Sequence, residues 1–245
     1  MNLEVIPLTS GKKNGKFSFF DELKKIFQKN RFLLKNGDVI VISSKFVSIS
    51  QGRVLNINKS NVCNKAKEIS KKFQSNDKFM EIVFRESDEI IGGVAGFVMS
   101  TTNGILAPNA GIDKSNSKGT EVVLYPDEPY KFAEDLKRKL FLESKIHVGI
   151  IIVDSRLMPT RIGTTGVTIA CAGIEPTKDL RGNKDLDGNP LKVTFQATAD
   201  NLATIANHEM GEGDDLRPIV IVRDSECKLT DRKIRSNLII KPPLL

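Results

Sequence analysis

The 245-residue chain has no Trp and only two Tyr. Aromatic platforms on which exposed bases could stack are therefore scarce, which counts against a single-strand nucleic-acid binder. Cysteine is also sparse. Cys63, Cys171 and Cys227 are odd in number, widely spaced and free of any CxxC pair. That excludes a disulfide framework or a zinc finger and fits a reducing compartment. No apolar run reaches the roughly 20 residues of a membrane helix. Met1-Asn2-Leu3-Glu4-Val5 lacks the basic and apolar regions of a secretory signal. The expectation is a cytoplasmic protein with no membrane partner. No period of about 20–50 residues repeats, so a solenoid is excluded.

Charge is present but dispersed. The net charge of +7 comes from 37 basic and 30 acidic residues. The basic residues sit in short groups such as Lys12-Lys13, Lys24-Lys25, Lys71-Lys72 and Lys137-Arg138-Lys139, and no single stripe forms. Most read as solvated helix faces. No helix-turn-helix, RNP or zinc pattern supports nucleic acid, so none is expected as a partner.

Strands and helices are interspersed, which gives a mixed α/β (α+β) class. Strands are expected at residues 3–8, at Val39-Ile40-Val41-Ile42, near 94–100, 104–107 and 121–125, over His147 to Val153 and over Leu216 to Arg223. Residues 163–174, small and Gly-rich, fit a strand packed closely on other backbone. Val193 to Thr198 reads as extended, after a polar loop at 179–190. Helices are expected at Phe19–Lys29, from a Ser60 cap to Gln74, from an Asp77 cap to about Ile90, at Pro129–Ser144 and at Ala199–Met210. The chain reads as one unit over 1–245, two-lobed but with no clear linker.

Three familiar templates fail. Gly11 to Phe17 looks like a Walker A loop but is one residue short between its glycines, with Phe17 where Ser or Thr should meet Mg²⁺. Asp185 to Asn189 looks like a calcium loop, but Pro190 stands where Gly is needed and Gln196 where Glu is needed. His208 and Glu212 lie four apart, but with two His in the chain a zinc protease site has little support. His147 reads as a strand residue.

More informative are three carboxylates in glycine-rich or strand-end settings. They are Asp113 in Asn109-Ala110-Gly111-Ile112-Asp113, Asp154 in Ile151-Ile152-Val153-Asp154-Ser155, and Glu212 in Met210-Gly211-Glu212-Gly213-Asp214-Asp215. An acid at the carboxyl end of an apolar strand lies where open α/β sheets bind ligands. Carboxylate and hydroxyl oxygens suit Mg²⁺ or Mn²⁺. The alternative is that each acid caps its own turn.

These segments together resemble the coenzyme F420-0:L-glutamate ligase family. The likeness spans nearly the whole chain. It includes Gly37 to Lys45 with Gln51-Gly52-Arg53, Arg85-Glu86-Ser87, Asn109 to Asp113 with Ser115-Asn116, and Asp154-Ser155 with Arg161 and Gly163. It continues through Ala172-Gly173, Asp179, Arg181-Gly182, Asp185, Gly188, Val193-Thr194, Ala199-Asp200 and Met210-Gly211-Glu212-Gly213. The resemblance implies a GTP-dependent ligase that adds L-glutamate in γ-linkage to the deazaflavin F420-0. It implies Mg²⁺ or Mn²⁺, two per subunit, with K⁺, and a two-lobed α/β fold assembled as an intertwined homodimer. Asp113, Asp154, Ser155 and Glu212 would match metal ligands, with the three acids as catalytic positions. Thr9, Ser10, Gly11, Lys12, Ser44, Lys45, Asn116, Met210, Gly211, Gly213, Asp214, Asp215, Leu216 and Arg217 would match nucleotide contacts. Lys45 and Arg161 are candidates to hold the anionic substrates.

The sequence departs from the family at two places. Ile49 stands where the family usually has Lys, and Arg156-Leu157-Met158-Pro159-Thr160-Arg161 replaces the usual Gly-Arg-Pro-Trp-Arg. Two other readings follow from these: a carboxylate–amine ligase with another acceptor, and a non-catalytic nucleotide-binding module.

Overall fold

Three apolar runs build the centre of the molecule. In the computed structural model, which describes residues 2–114, 120–158 and 162–235, they are β2 (Val39–Ser43), β8 (Gly149–Leu157) and β12 (Ile219–Arg223). With β1 (Glu4–Leu8) and β9 (Thr164–Ala172) they form one five-stranded sheet in the order β1-β12-β2-β8-β9. Only β2 and β8 run parallel; the other neighbours are antiparallel. The runs are continuous rather than alternating because both faces of the sheet are covered.

The two-residue period of a strand divides each run between two cores. Ile40, Ile42, Ile150, Ile152, Ile219 and Ile221 face α1 (Phe19–Lys29) and α5 (Pro129–Ser144), which contribute Leu23, Ile26, Leu136 and Leu140. Val39, Val41, Ile151, Val153, Val220 and Val222 face α6 (Thr198–Met210), through Ala199, Leu202, Ala203, Ala206 and Met210. The small residues of α6 let it approach closely. A Cβ on Gly166 of β9 would lie 2.6 Å from the Ala203 carbonyl oxygen and 2.7 Å from Asn207 Cβ. Only glycine fits there.

Between β2 and β8 the chain builds a second cluster. It comprises α2 (Ser44–Gln51), β3 (Val54–Asn56), α3 (Asn64–Lys72), α4 (Asp77–Glu86) and a three-stranded meander of β4 (Glu89–Val94), β5 (Phe97–Thr102) and β6 (Ile105–Pro108). A 3₁₀ turn at Asn109–Gly111 follows, and β7 (Glu121–Val123) pairs with β3. Phe73, Phe79, Met80, Val83, Val98 and Ile112 fill this cluster's core. A small ribbon of β10 (Lys178–Asp179) and β11 (Phe195–Gln196) projects with exposed Leu186 and Val193. Among the described residues no helix is long and apolar enough to cross a membrane.

The mixed α/β class is as expected, with several boundary corrections. The helix expected from Ser60 starts at Asn64, where the Cys63 sulfur accepts from the Ala66 N–H. The next helix is capped by Asn76, whose side chain accepts from the Phe79 N–H, and it ends at Glu86 rather than near Ile90. Glu89–Val94 is a separate strand paired with β5. The last strand starts at Ile219, because Leu216 is left-handed at φ 55°. Only Phe195–Gln196 of the extended 193–198 stretch pairs as a strand. Helix α2 and strand β3 had no counterpart in the sequence reading.

Candidate functional site

Strands β2 and β8 are parallel, so their carboxyl ends open on the same side, where ligands settle in such sheets. Pairing between them stops at Ser43 opposite Val153, but β8 continues against β9 to Leu157. The β2-side edge of Asp154–Leu157 therefore borders a cleft of about 830 Å³. Side chains from both faces of β8 can reach it there.

Asp154 and Arg156 point to one face of β8, Ser155 to the other. Asp154 Oδ1 accepts the Ser44 hydroxyl at 2.7 Å, and Oδ2 accepts Arg156 Nε at 2.9 Å. Ser44 and Lys45 form the first turn of α2, whose partial positive charge favours anions. Lys45 Nζ lies 2.7 Å from Asp113 Oδ2. Asp113 is held on the opposite wall by paired backbone bonds to Val123, both 2.9 Å.

Glu212 follows the C-terminus of α6. Its Oε1 accepts from Ser155 Oγ at 2.5 Å, Thr164 Oγ1 at 3.0 Å and Asn207 Nδ2 at 3.2 Å. The close seat of α6 on Gly166 places Asn207, and so helps place Glu212. The loop beyond is tied down in turn. The Ser10 N–H donates to the Leu216 carbonyl at 2.8 Å, and Arg217 donates to the Glu209 carbonyl at 3.3 Å.

The cleft gathers most of the residues that the sequence singled out. Ser10, Gly11, Lys12, Ser44, Lys45, Asp113, Asp154, Ser155, Met210, Gly211, Glu212, Gly213, Asp214, Leu216 and Arg217 all line it. Two others lie off it. Thr9 bonds Asn30 through its N–H and hydroxyl, and the Asp215 carboxylate folds back against the Gly211 backbone. Asn116 and Arg161 fall outside the described residues. The three acids share the cleft, and among the described residues no three His, Cys, Asp or Glu side chains stand grouped around one point. Each acid instead has a polar or cationic side-chain partner. The lining donors of this set are carboxylate and hydroxyl oxygens, the chemistry that Mg²⁺ and Mn²⁺ prefer. On that chemistry the residues fit such an ion.

Several neighbours were not legible beforehand. Arg156 is only 4% exposed yet supports Asp154. Its terminal nitrogens reach the Leu106 carbonyl and, at 3.5 Å, the Tyr125 hydroxyl. Burial pushes the Tyr125 phenol well above its ordinary range, so it stays neutral. Thr164 and Asn207 gave no local signal except that Asn207 lies about one helical turn before Glu212. Ile49, at the departure from the family pattern, lines the cleft as an apolar patch.

A family profile described as F420-0:Gamma-glutamyl ligase matches residues 16–224. The chain is 35% identical over 199 residues to the coenzyme F420:L-glutamate ligase of Halobacterium salinarum, covering 79% of this chain and 77% of that protein. The protein of the same name from Archaeoglobus fulgidus is 34% identical over 203 residues, covering 83% and 81%. That of Methanopyrus kandleri is 30% identical over 230 residues, covering 94% and 89%. With the family profile spanning residues 16–224 and relatives at this identity over most of their length, the chain belongs to the F420-0:gamma-glutamyl ligase family.

Proposed function

We propose that this protein is a GTP- and divalent-metal-dependent ligase that joins L-glutamate in γ-linkage to coenzyme F420-0. Mg²⁺ or Mn²⁺, two per subunit, K⁺, a homodimeric form and a cytoplasmic location belong to the same reading. The observation that carries it is the cleft itself, where Asp113, Asp154, Ser155 and Glu212 share walls with Lys12, Lys45 and Arg217. Oxygen donors for a cation and ammonium or guanidinium groups for phosphate meet in one space.

A carboxylate is a poor acyl donor at neutral pH. In the proposed reaction a carboxylate oxygen of the deazaflavin attacks the γ-phosphorus of GTP, and GDP leaves. The glutamate amine then attacks the acyl carbon, phosphate leaves, and the amine loses a proton. Asp113, Asp154, Ser155 and Glu212 would hold the metal, which when bound neutralises phosphate oxygens and aligns donor with acceptor. Lys12 and Arg217, which line the cleft, would meet the nucleotide phosphates, and Lys45 at the start of α2 would meet the transferred group. Ser44 keeps one oxygen of Asp154 turned toward the α2 end of the cleft.

Purified protein incubated with GTP, Mg²⁺ or Mn²⁺, F420-0 and L-glutamate should yield a product heavier by one glutamyl unit in mass spectrometry. Asp154→Asn should lower the rate by on the order of 10- to 100-fold. No glutamylated product under any metal would sink this reading. Ile49 on the cleft wall favours a second reading, a ligase of the same chemistry with a different acidic acceptor. Labelled glutamate offered with a panel of acceptors separates the two, since turnover with F420-0 alone removes the second.

A further inference from the structure

Arg156 has no role in the reaction as written, yet it is the most buried charged group on the cleft. All three of its guanidinium nitrogens are engaged. Nε donates to Asp154 Oδ2 at 2.9 Å, one terminal nitrogen to the Leu106 carbonyl on β6, and the other to the Tyr125 hydroxyl at 3.5 Å. Tyr125 is 2% exposed, and its ring packs on Gly111, two residues before Asp113. A Cβ on Gly111 would lie 2.6 Å from Tyr125 Cδ2. The Tyr125 carbonyl is itself held by Arg53 Nε at 2.8 Å.

From this geometry we infer that Arg156, braced by Tyr125, is a positioning residue that fixes Asp154 relative to Asp113 across the cleft. A phosphate-binding role does not fit a guanidinium that is 4% exposed with its donors already directed into the protein. A purely structural ion pair is also a poor explanation. Taking a guanidinium out of water is costly, and apolar replacements of such pairs are often neutral or stabilising. What the fork supplies is direction. It holds one oxygen of Asp154 and leaves Oδ1 to Ser44 and the cleft. The inference rests on the proposed metal-dependent reading of the site.

The test is a double-mutant cycle on Mn²⁺ binding, followed by electron paramagnetic resonance with GDP present. Arg156→Lys keeps the charge and loses the planar fork. It should weaken Mn²⁺ about tenfold, as loss of a partner that orients a ligand does. Introduced into an Asp154→Asn protein, the same change should cost no more than roughly twofold, because the residue it acts through is already altered. Tyr125→Phe keeps the ring on Gly111 and removes the hydroxyl that accepts a long hydrogen bond from the Arg156 guanidinium, for an expected loss of about threefold. This variant keeps the test open should Arg156→Lys fail to fold. Unchanged Mn²⁺ affinity in Tyr125→Phe and in any folded Arg156→Lys protein overturns the assignment. So does a full loss from Arg156→Lys in the Asp154→Asn background. A wild-type protein that binds Mn²⁺ but makes no glutamylated product ends the ligase reading while the cycle still supports Arg156. Product formation with unchanged affinity in the variants ends the Arg156 assignment alone.

Discussion

At the scale of single residues, the site depends on side chains that are themselves held. Glu212 Oε1 takes three donors, and Asp154 takes one partner on each oxygen. The turn before Asp113 is held by its backbone. Asn109, Ala110 and Gly111 all have positive φ, at 48°, 58° and 68°. Left-handed backbone is costly for residues with a Cβ. The Asn109 side chain accepts from the Val98 N–H at 3.0 Å, and the Ala110 N–H donates to buried Ser100 Oγ at 3.0 Å, which holds the turn in place. Gly111→Ala adds both a strained φ and a clash with Tyr125. It should cost about 1–3 kcal/mol, lowering the thermal midpoint by roughly 2–4 °C for each kcal/mol. An unchanged midpoint in a melting scan would disprove the close packing.

At the scale of elements, unequal strand lengths create the cleft. β2 turns into α2 at Ser44, and β8 runs on past it. α6 then brings Asn207 and the Met210–Asp214 loop to the exposed edge. Its approach depends on Gly166, where an added methyl would meet the Ala203 carbonyl. Gly166→Ala should push α6 away from β9, cost about 1–3 kcal/mol and, under the proposed function, lower glutamylation more than nucleotide binding. Unfolding midpoints and a comparison of kcat with GTP affinity check this. Equal stability with full kcat would mean that the helix has room to spare.

At the scale of the whole molecule, the α1/α5 core of the main sheet is tied to the second cluster beside the cleft. Arg53 links them through the Tyr125 carbonyl and an ion pair with Glu86 at the end of α4. On the far side of the main sheet, the segment after β12 is clamped back on the chain. Arg232 pairs with Glu175 at 2.6 Å, beside bonds from the Glu175 N–H to the Lys228 carbonyl and from the Thr230 N–H to the Gly173 carbonyl. Arg232 donates to the Glu175 carboxylate and holds it below its ordinary range. A carboxyl group depressed on folding stabilises the fold above its unfolded value, and that contribution is lost as pH falls through the folded one. Acid should therefore loosen residues 225–235 before the central sheet, and Glu175→Gln should loosen them at neutral pH as well. Hydrogen exchange across a pH series reads this directly. Uniform protection of both regions down to global unfolding would argue against a separate clamp.

The amino-acid order alone determined the parts that rest on local pattern. Val39 to Ile42, His147 to Val153 and Leu216 to Arg223 read as apolar strands, and Phe19–Lys29 and Pro129–Ser144 read as helices from their local pattern. The mixed class was legible for the same reason, whereas local pattern only singled out Asp113, Asp154 and Glu212 and the family resemblance supplied their expected roles. Tertiary structure decided the rest. The sequence assigns Ser44–Gln51 no element, and its Phe46, Val47 and Ile49 are only moderate helix formers. It is a helix because Phe46 and Val47 pack into the main core, and packing outweighs propensity differences of a fraction of a kcal/mol per residue. The sequence pointed to Asp113, Asp154 and Glu212 as candidate metal ligands, and the fold brings them to one cleft, where each meets a polar or cationic side chain. Arg156, Tyr125, Thr164 and Asn207 were silent because their roles are contacts between distant segments, and a one-dimensional pattern carries no record of which distant groups will meet.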